Sequence, residues 1–360
     1  MSRAERRFLL FGVSVALALP AWFAVSSHLP VRDGAPLRDS DELLWTLAWS
    51  PDSRYIAVGG GQSGGRRSGP LLIWERATHK LKVRLPFRRP MVTEVSYSPD
   101  GRFLAASSYD SVSLWRTDSG SLVHALPVWT VGPCKWERGD ALLVKGVLPT
   151  VKSIARSPIP LTLWRVETAT GSTSSRPIST LALIDSVLTE DNSYSPDGKF
   201  CARYIIPKVQ GSSSATQRRQ LLQLWQAHPH VLLQEQLAGN IRRLWWQDGR
   251  HVRGIAEINA SGRFLGANLW EFDCKTRRQT SKPLDVEGYD QSQISPDKRW
   301  LAWEEGDKVR LFDLKRGAFV ATWETASKHR ARSAFSPDSR TLAWLDGDAL
   351  RLQSLERYAQ

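Results

Sequence analysis

The sequence predicts an all-β fold of seven four-stranded units behind an N-terminal hydrophobic helix. Three observations carry the prediction. A phrase close to Ser-Pro-Asp-Gly, followed by a short apolar run, recurs down the chain. A second apolar phrase ending in Leu-Trp or a near equivalent follows each copy. Trp occurs 16 times in 360 residues, as an aromatic repeated in every unit would.

The first phrase reads WSPDSRYIAVGG from 49, YSPDGRFLAASS from 97, YSPDGKFCARYI from 194, ISPDKRWLAWEE from 294 and FSPDSRTLAWLD from 335. Two diluted copies, WERGDALLVKGV from 136 and WQDGRHVRGIAE from 246, fill the gaps. Seven pairs of phrases at a period of roughly 40–60 residues mark a repeat architecture of the solenoid or propeller kind. The units are strands. Pro presets φ, Asp bonds back to the backbone and Gly accepts left-handed φ, so Ser-Pro-Asp-Gly is a tight turn. Ser53, Lys298 and Ser339 take the Gly position, and those turns are expected to be strained or of another type. In RFLAAS, Arg102 is expected outward and Phe103 and Ala105 inward, with Leu104 outward or at an edge. In SVSLWR, Val112 and Leu114 fall on one face and Trp115 on the other. With a last strand such as SLVHALP, each unit holds four strands, a to d. The sum is a seven-bladed β-propeller with blades at 43–89, 92–127, 128–180, 190–237, 241–284, 290–324 and 333–360. The last blade stops after strand c, so residues 34–40 are expected to supply its fourth strand and close the sheet edge.

Ahead of residues 34–360 stands MSRAERRFLLFGVSVALALPAWFAVSSHLP. Residues 1–7 form a basic tip, 8–25 an uncharged run and 26–33 a linker. As a helix the run is about 27 Å long, close to the hydrocarbon thickness of a bilayer. The expectation is a single-pass membrane protein with a cytoplasmic N-terminus and an extracytoplasmic body. The alternative is a secreted or periplasmic body released by cleavage near Ser26.

The paired phrases resemble the WD-repeat β-propellers. The family's Trp-Asp dipeptide has diluted counterparts in Trp74-Glu75, Trp115-Arg116, Trp164-Arg165, Trp225-Gln226, Trp270-Glu271 and Phe312-Asp313. The Gly-His pair that precedes strand a in the family is absent, which puts its buried Asp–His–Ser–Trp network in question here. TolB-like propellers share the turn phrase and are the nearest rival. The resemblance covers about residues 34–360 and implies a protein-interaction scaffold that binds through its loops. A TolB-like envelope component binding a peptide, and a hydrolase or lyase with a central-channel site, remain as alternatives.

No catalytic constellation and no cofactor is expected. Gly61-Gln62-Ser63-Gly64-Gly65 matches a serine-hydrolase elbow, but that motif needs a helix after the serine and a strand follows here. His228-Pro229-His230 lacks a third ligand nearby in sequence. The three cysteines, 134, 201 and 274, fit neither a disulfide framework nor a zinc site. Glu304-Glu305 and Asp346-Gly347-Asp348 fall in b–c loops and are expected to be solvated.

The net charge of +13 favours an acidic partner. Long b–c loops carry Arg66, Arg67, Lys152, Arg156, Lys208, Arg218 and Arg219. The d–a connections add Arg88, Arg89, Arg242, Arg243, Lys328, Arg330 and Arg332. We expect a basic arc over blades 1–4, binding an acidic protein surface through Arg66, Arg67, Arg88, Arg89, Lys152, Arg156, Arg218, Arg219, Arg242 and Arg243. Acidic loops gather over blades 5–7. Nucleic acid is not expected, for want of a base-reading motif.

Overall fold

The computed structural model describes residues 35–39, 41–62, 68–130, 134–137, 141–147, 161–178, 193–205, 221–227, 231–237, 241–260, 263–286, 291–326 and 332–359. Among them every sheet is antiparallel, and each is built from strands consecutive in sequence. Sheet I holds β1 (Leu44–Trp49), β2 (Tyr55–Gly60), β3 (Leu71–Glu75) and β4 (Lys80–Arg84). Sheet II holds β5 (Glu94–Tyr97), β6 (Phe103–Ser107), β7 (Val112–Arg116) and β8 (Leu122–Leu126). Sheet III runs β10 (Lys135–Glu137), β11 (Ala141–Val147), β12 (Leu161–Glu167) and β13 (Thr173–Ile178), with β9 (Trp129–Thr130) also paired to β11. Sheet IV holds β14 (Ser193–Tyr194), β15 (Phe200–Ile205), β16 (Leu221–Gln226) and β17 (Val231–Leu237). Sheet V holds β18 (Ile241–Trp246), β19 (His251–Ala260), β20 (Arg263–Asp273) and β21 (Arg278–Leu284). Sheet VI holds β22 (Gln291–Ile294), β23 (Trp300–Glu305), β24 (Lys308–Asp313) and β25 (Ala318–Glu324). Sheet VII has three strands, β26 (Ser333–Phe335), β27 (Thr341–Asp346) and β28 (Ala349–Ser354). Beside β28, Leu37 forms an antiparallel bridge to Leu350, with N–H to O distances of 2.8 and 3.0 Å.

The turn phrase is one structure used five times. Ser50, Ser98, Ser195, Ser295 and Ser336 are buried, and each hydroxyl donates to the Asp two residues on, at 2.5–2.6 Å. The same hydroxyl accepts the N–H that opens strand b, at 2.9–3.0 Å. Each buried hydroxyl is therefore satisfied twice. The fourth position is left-handed in all five turns, with φ of 61° at Ser53, 74° at Gly101, 70° at Gly198, 61° at Lys298 and 59° at Ser339. Ser and Lys do not change the turn type; they occupy the glycine conformation at the cost of a Cβ clash. At Ser53 and Ser339 the hydroxyl reaches the neighbouring turn. Asp338 N–H donates to Ser53 Oγ and Asp297 N–H to Ser339 Oγ, both at 3.0 Å.

The inner strands differ from the expected in-and-out alternation. All five residues of β6 are buried. Leu104 and Ala106 pack with sheet I residues, whereas Phe103 and Ala105 pack with sheet III residues. Both faces of the sheet are covered, so alternation chooses which neighbour a side chain meets rather than core or solvent. Val112 and Leu114 on one face and Trp115 on the other follow the same division. Strand c aromatics turn to the preceding sheet: Trp115 to sheet I, Trp164 to sheet II, Trp270 to sheet IV and Phe312 to sheet V. Sheets VI and VII pack through Trp300 and Trp344. Sheet VII packs on sheet I through Leu345, Leu350 and Leu352 against Ile56, Val58 and Trp74, with Leu37 in the same cluster.

The expected hydrophobic helix at 8–25 lies outside the described residues. Among those described, no helix is long and apolar enough to cross a membrane.

Candidate functional site

The glycine-rich stretch after β2 is a crossing point of backbones. A Cβ at Gly60 would stand 2.0 Å from Leu43 O. Gly61 has φ +112°, and a Cβ there would stand 2.1 Å from Pro90 O. No side chain fits either position. The close approach is held by Gly61 N–H to Leu43 O and Val92 N–H to Gly60 O, both at 2.8 Å, and by Gly69 N–H to Arg89 O at 2.7 Å. The Trp45 indole N–H adds a bond to Gly61 O at 2.6 Å. Strand β3 follows, so the elbow reading lacks its helix; Ser63 itself lies outside the described residues.

This crossing fixes the connection from β4 to β5. Leu85, Phe87 and Val92 are buried as anchors, and Arg88 and Arg89 stand exposed between them. Arg89 is compensated: its Nε lies 3.1 Å from Asp110 and donates to Ser111 Oγ at 3.3 Å. Arg88 has no partner among the described residues. Together they form one wall of a cleft of 610 Å³. The other wall is the outer half of sheet II, with Ser111, Ser113, Trp115, Leu122 and Ala125. Leu122 is 50% exposed.

The remaining expected arginines divide. Arg66, Arg67, Lys152, Arg156, Arg218 and Arg219 lie outside the described residues, as does the side chain of Arg242. Arg243 is elsewhere: its guanidinium donates to Gln293 Oε1 at 3.0 Å, tying β18 to β22. The structure thus brings Arg88 and Arg89 to one cleft and leaves Arg243 in an inter-sheet bond.

The paired acids are not solvated turns. Glu304 is 1% exposed and Asp346 1%. Glu304 Oε1 accepts the N–H of Ser333 at 2.7 Å and its hydroxyl at 2.5 Å. Asp346 accepts Ala326 N–H and Arg351 Nε, both at 2.6 Å. Glu305 accepts the Trp303 indole N–H at 3.1 Å. Glu304 and Asp346 fasten sheet VI and the connection after it to sheet VII, and a buried carboxylate is tolerated where donors meet it. Asp348 alone of these acids keeps the expected character, half-exposed and 3.0 Å from Arg38. Sequence reasoning missed the role of Glu304 because its donors come from the next repeat.

Trp245, Trp246 and Trp300, which stand outside the strand-c phrases, are buried. Trp136 donates to Ser96 at 3.1 Å, and Trp323 packs on Trp344 with ring centroids 5.1 Å apart. The aromatic floor of the cleft is instead the regular Trp115. His228-Pro229-His230 lies outside the described residues, and among those described no group of three His, Cys, Asp or Glu could hold a metal ion.

The family model for the WD domain, G-beta repeat, matches residues 85–116, which run from the β4–β5 connection to Trp115-Arg116. The crystal structure of the Cps50 (Swd1) β-propeller domain of Myceliophteria thermophila matches with a TM-score of 0.51 at 12% identity, over 89% of this chain and 99% of that one. The two matches support a resemblance to the WD-repeat β-propellers. The Caenorhabditis elegans Periodic tryptophan protein 2 homolog is 26% identical over 121 residues, 32% of this chain. This chain spans only 13% of that relative's length. The likeness to the solved domain shows the fold alone. With the lack of a membrane-crossing helix among the described residues, these comparisons overturn the single-pass, extracytoplasmic localisation expected from residues 8–25. The buried indole N–H groups of Trp74, Trp115 and Trp270 have no hydrogen-bond partner among the described residues. A Cβ at Gly254, across the strand pair, would stand 2.5 Å from the Trp270 Nε1.

Proposed function

We propose that this WD-repeat chain is a seven-bladed, non-enzymatic interaction scaffold that takes up an acidic protein surface along the basic loops of blades 1–4. The observation that carries the reading is the β4–β5 connection. Backbone bonds to the glycine crossing hold it, and it presents Arg88 exposed and without a partner among the described residues. Rigid scaffolds with exposed charged connections are where propellers place binding. Antiparallel order puts the b–c hairpins at the same end of each sheet as the d–a connections. The proposal counts the arginines at 66, 67, 218 and 219, which lie in sequence between strands b and c, with that end.

The seven-bladed closure is part of the proposal. Its support is the packing of sheet VII on sheet I and the Leu37–Leu350 bridge, the contacts expected if residues 34–40 supply the outer strand of the last blade.

The test is in-cell crosslinking followed by capture, comparing wild type with Arg66→Glu, Arg67→Glu, Arg218→Glu and Arg219→Glu combined. Melting temperature reports that both remain folded. The proposal expects a protein captured by wild type and lost from the reversal. Identical capture by both overturns the basic arc as the docking surface.

A further inference from the structure

The cleft between sheets I and II has the features of a peptide site, and the inference below rests on the interaction-scaffold reading. Its volume of 610 Å³ lies within the usual range for small-ligand pockets and suits a few side chains. Its floor is apolar: Trp115, Ala125 and the half-exposed Leu122. Strand β8, which carries Leu122 and Ala125, is the last strand of its sheet, and its outer backbone edge pairs with no other strand among the described residues. An extended segment is the shape that such an edge pairs with. At the mouth stands Arg88, exposed and unpaired among the described residues, while Asp110 compensates Arg89. The cleft therefore carries one uncompensated positive charge beside an apolar floor. Ser113 Oγ, also on the wall and without a partner among the described residues, offers a hydroxyl donor.

We infer that this cleft takes an extended segment of a partner protein. An aliphatic side chain of the segment lies on Trp115, Leu122 and Ala125, and a neighbouring carboxylate pairs with Arg88. Charge complementarity selects the acid, because a basic segment would meet the uncompensated Arg88. A charge-assisted bond from a guanidinium to a carboxylate is among the stronger polar contacts, and the apolar floor supplies the burial.

The test uses a random octapeptide library displayed on phage and panned on the full chain. Recovered sequences are synthesised with a fluorescent label and measured by anisotropy. Three variants are compared with wild type: Arg88→Glu, Leu122→Arg and the combined reversal at Arg66, Arg67, Arg218 and Arg219. Both cleft substitutions are at exposed positions, so the fold is retained, and melting curves check it. The inference expects recovered peptides that place Asp or Glu beside Leu, Ile or Val. Their affinity should fall by about tenfold or more in Arg88→Glu and in Leu122→Arg. No enriched peptide, an enrichment without acids, or equal binding by wild type and both cleft variants overturns it. Peptides that bind the cleft variants normally but lose the loop reversal would sink the cleft while leaving the basic-arc reading standing.

Discussion

Ser53 occupies a glycine conformation, and the reason is measurable. With φ 61° and 6% exposure it bears the cost of a left-handed Cβ, about 1–2 kcal/mol. Its hydroxyl accepts Asp338 N–H at 3.0 Å, and Arg76 reaches Asp338 at 2.5 Å beside it. The serine thus ties sheet VII to sheet I. Ser53→Ala keeps the left-handed cost and leaves the Asp338 N–H without its acceptor, a loss of about 1–3 kcal/mol. The site is part-buried, so the lower half of that range is expected. Ser53→Gly loses the same bond but relieves the backbone by about 1–2 kcal/mol, and falls close to wild type. The Ala variant should therefore be the least stable of the three, below Gly by about 1–2 kcal/mol. Urea unfolding followed by Trp fluorescence at constant slope gives the difference directly. An Ala variant as stable as wild type would show that the latch contributes nothing. A Gly variant below Ala would refute the conformational argument.

Four further outcomes follow from the same geometry. Glu304→Ala removes a buried acceptor of two donors from Ser333 and should cost about 2–4 kcal/mol, whereas Glu304→Gln, which keeps an amide oxygen, should cost distinctly less; equal losses in chemical denaturation would assign the effect to volume alone. Leu37→Asp puts a carboxylate among Leu345, Leu350 and Trp74 and should lower the melting temperature by several degrees or cause oligomers by light scattering; an unchanged monomer would show that residues 34–40 do not close the last blade. Burial pushes the thiols of Cys134 and Cys274 up to about 12, so alkylation of native protein at pH 8 should reach the half-buried Cys201 first, and mass spectrometry finding Cys134 modified before unfolding would contradict this. Bonds from Ser195 and Lys199 hold Asp197 below its ordinary 3.8; burial opposes the shift at Asp100 and Asp338, but bonds from Ser98 and Ser336 and from their arginine partners still hold them low. A depressed folded value stabilises above the unfolded value and is lost as pH falls through the folded one, so melting temperature should hold from pH 7 to 5 and drop below about pH 4, and a drop already complete at pH 5 would implicate other groups.

The repeat was legible because its chemistry is local. The Ser-Pro-Asp turn closes within five residues, from Ser98 Oγ to Asp100 and to Phe103 N–H, and the sequence displays all three together. Trp115 against Val112 and Leu114 is likewise a local alternation. What the sequence hid is what passes between repeats. Glu304 reads as part of an exposed acidic pair because Ser333, its partner, belongs to the next unit. Arg243 reads as a free basic residue because Gln293 answers it from the following sheet. Arg89 is compensated by Asp110 across a sheet boundary, so a run of two arginines overstates the charge that is left to bind. The glycines at 60 and 61 open the stretch that matches a reactive elbow. Their need for glycine comes from the backbones of Leu43 and Pro90, which no pattern within the loop announces.

The central claim is that the partner docks at the end of the propeller where the b–c hairpins and d–a connections lie. A photoreactive amino acid placed singly at Arg66, Arg88 and Arg218, and at Asp52, Asp297 and Asp338 in the turns of the opposite end, tests it in cells. The account predicts a discrete partner crosslink from the first three positions and none from the turns. Crosslinks from Asp52, Asp297 and Asp338, with none from the arginine positions, would contradict it.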